Sequence, residues 1–396
     1  MTDTLSDPKF TDDGDSVVVD AKDEVRDEER KRVAYLFGAG ATQACVSRAP
    51  TRHRVLMQDL SPALALELHQ LVGKEPFNHE SLQDLVNTVI NNETDFEHII
   101  TFLDNAPSSL HREFAGKMKI AFEEVLRKRL EQIREDVGHD PIELYTVLMD
   151  LHNVREYPES LHAVLTTNYD EYIEAAIEAV FKKEPDFGIT VEAPAPRLPS
   201  NDSNSHPELI KLHGSLGWQD TLPISRPKTV ADTLWIPPGI QKSKHHYPFN
   251  LLWGRAHEVL HCDILRIVGC RLAANDWDLI SLLFSVRHAT MATGPRIEII
   301  DSPAHVEDLK GLYPYLDIHS MIEVEPLGSR IMTEVNIRPV RAYRDLQPAH
   351  QKKMIKLTSE HGNWFDLWLT QSVEHANENF SSIETDSRIV EHFLGR

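Results

Sequence analysis

Short apolar runs alternate with longer amphipathic stretches along the chain, a pattern that predicts strands and helices of an α/β protein. The clearest run covers residues 33–37 and leads directly into Gly38-Ala39-Gly40-Ala41-Thr42. A continuous apolar run predicts a strand buried on both faces of a parallel sheet. Glycines after such a strand permit a tight turn, and the N–H groups of a following helix can bind a phosphate. Because the third glycine of the dinucleotide fingerprint is absent, a phosphate loop and an ordinary turn fit equally well.

Four later apolar runs also end in residues that commonly bind ligands. They are residues 163–166 before Asn168 and Asp170, residues 209–212 before His213-Gly214-Ser215, residues 263–269 with Cys270-Arg271-Leu272 following Gly269, and residues 296–300 before Asp301. Parallel strands place their carboxyl ends at one edge of a sheet, where open α/β folds bind ligands. The repetition predicts a Rossmann-like, doubly wound parallel sheet with a site at this edge. One of Asn168 and Asp170 could instead cap the helix predicted over residues 172–181.

A helical module is predicted over about residues 56–157, between the first strand–helix unit and the second strand. Apolar residues recur there at helical spacing and prolines separate the segments. Within it, Asp95-Phe96-Glu97 either faces the site or begins a helix whose dipole favours acidic residues. The predicted organisation is an acidic disordered arm at 1–32, a ligand-binding domain at 33–310 with this insertion, and a mixed or helical extension at 311–396.

The C-terminal extension has a weaker pattern. Residues 318–324 predict an edge strand, and residues 348–379 predict helices. The aromatic cluster at 364–369 fits two interpretations equally, a contact with a second copy of the chain or intrachain cover of the core.

Charge and cysteine content narrow the class of protein. The net charge of −21 predicts that the chain repels nucleic acid rather than binding it directly. Three cysteines without a Cys-x-x-Cys pair, no secretory signal and no membrane-spanning run predict a cytoplasmic protein. Arg48, Arg52, His53 and Arg54 either complement a dinucleotide or form an exposed loop.

One motif suggests a different chemistry. His257-Glu258-Val259-Leu260-His261 lies in a predicted helix over residues 251–261, and the spacing is that of zinc peptidases. No third ligand follows at a familiar distance. We therefore favour an ordinary amphipathic helix and predict no metal site.

The ordered set Gly38-Ala39-Gly40, Thr167-Asn168-Tyr169-Asp170, Leu212-His213-Gly214-Ser215 and Gly269-Cys270-Arg271-Leu272 resembles sirtuins. It resembles most the bacterial sirtuin-like NAD hydrolases of anti-phage defence. Two features of deacylating sirtuins are missing, the four zinc-binding cysteines and a Pro-Asp-Phe-Arg stretch after the glycines. Arg271 also stands where relatives commonly have serine.

The resemblance implies roles for particular residues. The glycine loop, with Gly38, Ala39, Gly40 and Thr42, would bind the NAD pyrophosphate. Asn168 and Asp170 would hold the nicotinamide end, and His213 would be the acid–base residue. Asp301 at its strand end could hold a ribose hydroxyl, and Gly269 would also contact the nucleotide.

The resulting expectation is an NAD+ glycohydrolase that uses NAD as its substrate without a metal. Its products would be nicotinamide and ADP-ribose, and its role would be to deplete NAD during phage infection. An NAD-dependent protein deacylase and a non-enzymatic nucleotide sensor are the alternatives. Since the chain leaves little room for a sensing domain, we expect control by a homo-oligomer and by a partner, such as the HerA-type ATPase or short Argonaute that relatives pair with.

Overall fold

A computed structural model describes residues 30–46, 55–91, 96–136, 142–154, 157–188, 207–219, 233–237, 245, 247–273, 276–288, 294–326, 333–337 and 364–379. The strands are β1 (Lys31–Phe37), β2 (Glu159–Thr166), β3 (Glu208–Lys211), β4 (Gly214–Gln219), β5 (Thr233–Trp235), β6 (Ile264–Val268), β7 (Arg296–Ile300), β8 (His319–Ser320), β9 (Ile322–Pro326) and β10 (Thr333–Ile337). The helices are α1 (Ala39–Cys45), α2 (Met57–Val72), α3 (Glu80–Ile90), α4 (Phe96–Asp104), α5 (Ser109–Asp136), α6 (Glu143–Asn153), α7 (Tyr172–Phe181), α8 (Phe249–Val259), α9 (Trp277–His288), α10 (Pro303–Leu312) and α11 (Trp364–Asn379). None of these helices combines the length and apolar character that crossing a membrane requires.

Six strands form one parallel sheet in the order β3-β2-β1-β6-β7-β8. Strands β2 and β3 are added on one side of β1, and β6, β7 and β8 are then added on the other side. The order therefore reverses between β1 and β6, and a crevice at such a point is where doubly wound sheets bind ligands. The predicted fold class is confirmed.

Helices cover both faces of this sheet. Val33, Tyr35 and Phe37 of β1 point to a core shared with α1, α6, α7 and α11. Ala34 and Leu36 point to the opposite core, which α8, α9 and α10 complete. This alternation explains why the run at residues 33–37 is apolar at every position.

The helical module has a hydrophobic core of its own. Helices α2 to α5 pack around residues such as Leu64, Leu68, Phe114 and Met118, all fully buried. Helix α6 belongs elsewhere, because its buried residues pack into the core beneath the sheet. The insertion that packs as a separate unit is therefore α2 to α5, and α6 is a covering helix of the sheet.

A buried charge cluster lies across the middle of the sheet. Arg266 of β6 donates to both carboxylate oxygens of Glu159, at 2.5 and 2.7 Å, and to Glu298 at 3.0 Å. It also donates to the hydroxyl of Tyr35 at 3.0 Å, and its guanidinium carbon lies 5.3 Å from the ring centroid of Trp368. We call these residues the Arg266 cluster. Side chains from β1, β2, β7 and α11 thereby contact one cation on β6.

The C-terminal extension differs from the prediction in two respects. The single edge strand predicted over 318–324 is in fact two strands, since β8 ends the main sheet and β9 pairs with β10 in a separate antiparallel pair. Phe365, Leu367, Trp368 and Leu369 of α11 are buried in the core, so these side chains give intrachain cover. The alternative in which this cluster contacts a second copy is wrong for these four side chains.

Candidate active site

The glycine loop after β1 packs directly on the loop after β6. A Cβ on Gly38 would lie 2.5 Å from the Cα of Cys270, and one on Gly269 would lie 2.3 Å from the backbone nitrogen of Ala41. Gly269 also has a φ of +57°, which side chains rarely adopt. Glycine is thus required for contact between the two backbones. Ala39, at the start of α1, is exposed and open to a ligand.

Two N–H groups of this loop already have partners. Gly38 donates to the carbonyl of Val268 at 3.0 Å, and Gly40 donates to that of Gly269 at 2.8 Å. In this conformation of the loop, both N–H groups are therefore bound by the end of β6. The phosphate-binding role of Gly38, Ala39, Gly40 and Gly269 stays a prediction.

Asn168 links the end of β2 to the glycine loop. Its side-chain nitrogen donates to the carbonyl of Gly38 and to the hydroxyl of Thr42, both at 2.9 Å. Its backbone nitrogen donates to the Thr166 hydroxyl, which itself donates to the carbonyl of Phe37. These bonds orient the amide, so its side-chain oxygen is the atom left for a ligand.

Asp170 has a structural function in this arrangement. One of its carboxylate oxygens accepts from the Thr42 hydroxyl at 2.7 Å, and the other accepts from the backbone nitrogen of Tyr172 at 3.2 Å, at the start of α7. Of the two residues, Asp170 is thus the one bonded to the first N–H of α7, although the N-cap position itself is Glu171. Its predicted contact with the nicotinamide carboxamide, like that of Thr42 with the nucleotide, stays a prediction.

His213 lies two residues after the end of β3, buried among aromatic residues. Its ring centroid is 6.3 Å from that of Tyr169 and 6.5 Å from that of Trp253. The Trp253 indole nitrogen donates to the carbonyl of Leu212 at 3.1 Å, and Ile236 donates to the carbonyl of His213 at 2.8 Å. The backbone around the imidazole is therefore held on two sides.

Gly214 then turns the chain sharply. Its φ is +73°, and β4 begins there, in an antiparallel pair with β5. The sequence pattern did not predict this pair, because residues 213–215 were interpreted as the end of a strand only. The pair places Trp235 beside Tyr169.

The helical module contributes one wall near the site. Phe122 of α5 stacks on Trp235, with ring centroids 6.1 Å apart and an angle of 10° between the planes. Phe122 also lies 6.4 Å from Tyr169, whose hydroxyl donates to Ile236. Burial raises the pKa of Tyr169 well above its usual range, so this phenol remains protonated. The inserted helices and the strand-end residues thus form one aromatic cluster.

The sequence pattern did not identify two charged side chains beneath the site, Lys211 and Glu174. Lys211, the last residue of β3, is fully buried and donates to the Glu174 carboxylate of α7. We call this pair the Lys211 cluster. The available signal was a lysine inside an apolar run, although its partner could not be identified from the sequence. Tyr145 of α6, 3.5 Å from the Thr42 hydroxyl, gave no such signal.

Asp301 lies two strands away from the glycine loop, at the end of β7. Its carboxylate accepts from the backbone of Ser302 at 2.6 Å and lies 2.9 Å from the His305 ring. The hydrogen bond to Asp301 raises the pKa of His305. The structure does not connect Asp301 directly to Asn168 or His213, and its ribose contact stays a prediction. Arg271, at the end of β6, is exposed.

The zinc-peptidase motif does not lie on one helix. Helix α8 ends at Val259, so His261 falls beyond it, which corrects the predicted helix over 251–261. Glu258 forms an ion pair with Arg255 at 2.5 Å. Within the described ranges, no group of three or more His, Cys, Asp or Glu side chains is placed to hold a metal ion. Asp95 and the basic residues Arg48, Arg52, His53 and Arg54 lie outside the described residues.

Fold and site together define a doubly wound α/β protein with polar side chains gathered at adjoining strand ends. Residues 162–311 match the family model described as "SIR2-like domain". This range contains Asn168, Asp170, His213 and Gly269, whereas Gly38 and Gly40 precede it. The chain is thus similar to sirtuins over this segment, in agreement with the motif-based resemblance.

Two solved structures are also similar to the chain. One, described as "Structural Basis for the Mechanism and Regulation of Sir2 Enzymes", is 14% identical over 70% of this chain and 86% of that chain, with a TM-score of 0.30. The other, a complex of a mutant Sir2 homologue with ADP-ribose, is 14% identical over 73% of this chain and 92% of that chain, with a TM-score of 0.32. No curated protein matches the chain.

Proposed function

We propose that the protein is an NAD+ glycohydrolase that releases nicotinamide and leaves ADP-ribose. The observation that supports the proposal is the order of neighbouring strands β3-β2-β1-β6 in the sheet. Asn168 after β2 binds the glycine loop after β1, and His213 after β3 lies near Tyr169 of the turn that carries Asn168. The match of residues 162–311 to the SIR2-like domain supports the choice of NAD as the substrate, in line with the resemblance of the motifs to sirtuins. The same site residues were predicted from the motifs.

The chemistry requires a base near neutral pH. Cleavage of the nicotinamide–ribose bond gives a sugar with oxocarbenium character, as in glycoside hydrolysis. Water or a ribose hydroxyl then needs a group that accepts a proton, and histidine, with an ordinary pKa of about 6.5, suits this role. His213 is the imidazole at the strand ends and takes this role.

Asn168 orients the nucleophile. Its side-chain nitrogen is bound to Gly38 and Thr42, so its oxygen accepts a hydrogen bond from water or a ribose hydroxyl. Tyr169, Trp235 and Phe122 limit access of other solvent molecules. Asp170 acts through Thr42 and α7, as a positioning residue.

The test is nicotinamide release by purified protein, followed by chromatography. We expect His213→Ala to lower turnover by about 10²–10⁴-fold, and Asn168→Ala by about 10²-fold. His257→Ala is the matched control, because it removes a histidine on α8 and should leave turnover unchanged. Circular dichroism establishes that each variant is folded. Near wild-type turnover in folded His213→Ala would contradict the proposed base.

The alternatives give different results in the same assay. A deacylase would release nicotinamide only when an acetylated peptide is added, and a sensor would bind NAD without cleaving it. Activity that EDTA removes and zinc restores would favour the peptidase-type ligands His257 and His261. We expect release without peptide and no effect of EDTA, since in the part of the chain that the structure describes no group of three or more His, Cys, Asp or Glu side chains is placed to hold a metal ion.

The biological role that we propose is depletion of NAD in anti-phage defence, under the control of a homo-oligomer and an operon-encoded partner such as a HerA-type ATPase. The support is the resemblance of the motifs to that branch of the family. Light scattering should show an oligomer, and co-expression with the neighbouring gene product should change its size and NAD turnover. A monomer whose NAD turnover is unchanged by the neighbouring gene product would contradict the proposed regulation.

A further inference from the structure

Lys211 binds two groups of the candidate site at once. Its ammonium lies 2.5 Å from a carboxylate oxygen of Glu174 and 2.5 Å from the backbone carbonyl of Asp170. The side chain of Lys211 has no exposed surface. The same Glu174 oxygen lies 3.5 Å from the hydroxyl of Ser215. One ammonium therefore connects the end of β3, the turn after β2 and the first turn of α7.

The two bound segments carry the residues that the mechanism uses. His213 follows Lys211 by two positions, and Asn168 precedes Asp170 by two. Thr166 and Lys211 are register partners in the sheet, so the two strands end side by side. Beyond this point the turn of residues 167–170 is held by individual hydrogen bonds. Leu216 donates its backbone N–H to the carbonyl of Tyr169 at 2.9 Å, and the hydroxyl of Ser215 lies 3.4 Å from the same carbonyl. The bond from Lys211 to the carbonyl of Asp170 is the one that comes from β3 itself.

Stability alone does not account for a lysine at this position. Its neighbours Leu209, Ile210 and Leu212 are fully buried, and an apolar side chain would pack among them. Replacing a buried ion pair by apolar residues is commonly neutral or stabilising. The pair is also incompletely satisfied, because the second carboxylate oxygen of Glu174 has no hydrogen-bond partner among the described residues. Such a pair is a poor means of stabilising a core.

We propose that Lys211 is a positioning residue that sets the turn of residues 167–170, and with it Asn168, against His213. It acts through the carbonyl of Asp170 and does not touch the substrate. This inference rests on the proposed function for its catalytic consequence, whereas the structural role of Lys211 can be tested without it.

The main variant is Lys211→Met combined with Glu174→Met, which removes both charges and leaves no unpaired buried ion. We expect it to be folded with little change in the free energy of unfolding. The matched control is Arg255→Met combined with Glu208→Met, which removes an ion pair at the opposite end of β3. Both double variants lose a salt bridge of β3, and the control also loses the pair of Arg255 with Glu258 on α8. Only the first loses the bond to Asp170.

Hydrogen–deuterium exchange gives the readout that does not depend on activity. The backbone nitrogens of Asn168 and Tyr172 are protected by bonds to Thr166 and Asp170. In the main variant we expect a peptide covering 167–172 to exchange about tenfold faster while the rest of the sheet is unchanged. The control should leave this peptide as in the wild type. Unchanged exchange of 167–172 in the main variant would overturn the proposal.

Steady-state kinetics then separates positioning from binding. We expect kcat to fall about 10–10²-fold with the KM for NAD changed by less than about threefold, since a misplaced Asn168 affects the reacting geometry more than substrate binding. An unchanged kcat in the folded main variant would also overturn the proposal. If the wild-type protein does not cleave NAD, the proposed function is wrong. Hydrogen–deuterium exchange of residues 167–172 then still tests the role of Lys211.

A second variant covers the case in which the main variant does not fold. Lys211→Arg keeps the charge, but the guanidinium is larger and planar, so its nitrogens cannot occupy the single buried position from which the ammonium binds both acceptors at 2.5 Å. We expect faster exchange of 167–172 and about a tenfold lower kcat. Wild-type exchange and wild-type kcat in Lys211→Arg would overturn the proposal.

Discussion

The Arg266 cluster and the Lys211 cluster are both buried against the same sheet, but they differ in what they hold together. Arg266 binds side chains of the strands and lies under α11, within the body of the fold. Lys211 binds a backbone carbonyl and a helix carboxylate at the strand ends. The first is placed to stabilise the scaffold, and the second to orient a turn.

The carboxylates of the two clusters show the difference most clearly. Burial raises the pKa of Glu159, but the charge and two hydrogen bonds of Arg266 outweigh this effect, so the pKa lies below its usual range. Burial also raises the pKa of Glu174, and Lys211 offsets this only in part, so the pKa lies above its usual range. Glu159, with both oxygens bound, contributes to stability as a carboxylate. Glu174, one oxygen of which has no partner among the described residues, lowers stability as a carboxylate, and its position beside the site gives a reason for its presence.

The largest expected effect is that of Arg266→Met on stability. The substitution removes the cation that binds both oxygens of Glu159 and leaves Glu298 with its ion pair to Arg296, which should lower the free energy of unfolding by about 3–5 kcal/mol. Urea unfolding measures this loss. Arg287→Met, which removes the exposed pair with Asp317, is the control and should cost less than about 1 kcal/mol. If Arg266→Met lowered kcat per folded molecule as strongly as the Lys211 variants do, the distinction between the clusters would be wrong.

A smaller loss of stability is expected for Trp368→Phe. The indole is fully buried and lies over Arg266, and its N–H has no hydrogen-bond partner among the described residues. The substitution therefore removes packing and cation–π attraction only, about 1–2 kcal/mol. Thermal unfolding measures it, with the half-buried Trp364→Phe as control. Equal losses of stability for Trp368→Phe and Trp364→Phe would contradict the placement of Trp368 over Arg266.

Tyr145→Phe should have a still smaller effect, at the site rather than in the scaffold. It removes the hydroxyl beside Thr42 and keeps the ring packed on Phe37. One lost hydrogen bond corresponds to about 0.5–1.5 kcal/mol of stability. Thermal unfolding again gives the measurement, and Tyr315→Phe on the exposed surface is the control. No loss relative to that control would indicate that α6 does not support Thr42.

The smallest effect is a difference in pH dependence between two conservative variants. With a lowered folded-state pKa, Glu159 contributes stability above its unfolded pKa of about 4.3 and loses it as the pH falls through the folded value. With a raised pKa, the contribution of Glu174 is present at low pH and is lost as the pH rises. The advantage of the wild type over Glu159→Gln should therefore shrink on acidification, and its advantage over Glu174→Gln should grow. Urea unfolding across a pH series measures both, and slopes of the same sign would contradict the assignment.

Local patterns predicted the strands and several helices well, because burial on both faces and helical spacing each give a pattern among residues that are close in sequence. Helix α7 has its predicted bounds, and β6 lies within its predicted range. The charged residues Lys211, Arg266 and Glu298 inside apolar strands were visible signals as well. Their partners were not predictable, since Glu174 and Glu159 come from distant elements that only the folded sheet brings near.

The same limit applies to the site. Strand ends identified Asn168, Asp170 and His213 as a group, because parallel strands end at one edge. The separate roles of these residues depend on hydrogen bonds, such as the one from the backbone of Tyr172 to Asp170 at the start of α7. The bonds that occupy the N–H groups of Gly38 and Gly40 come from a strand more than two hundred residues later, and no local pattern shows them.

The position of α11 has a consequence for synthesis on the ribosome. Phe37 of the first strand packs on Phe365, roughly 330 residues later, and Trp368 closes the face that Tyr35 and Arg266 share. At about 5–20 residues per second, a nascent chain carries this face open for on the order of half a minute. The core beneath the strand ends is therefore completed only after residues 364–379 leave the exit tunnel, so an emerging chain cannot assemble the finished site early.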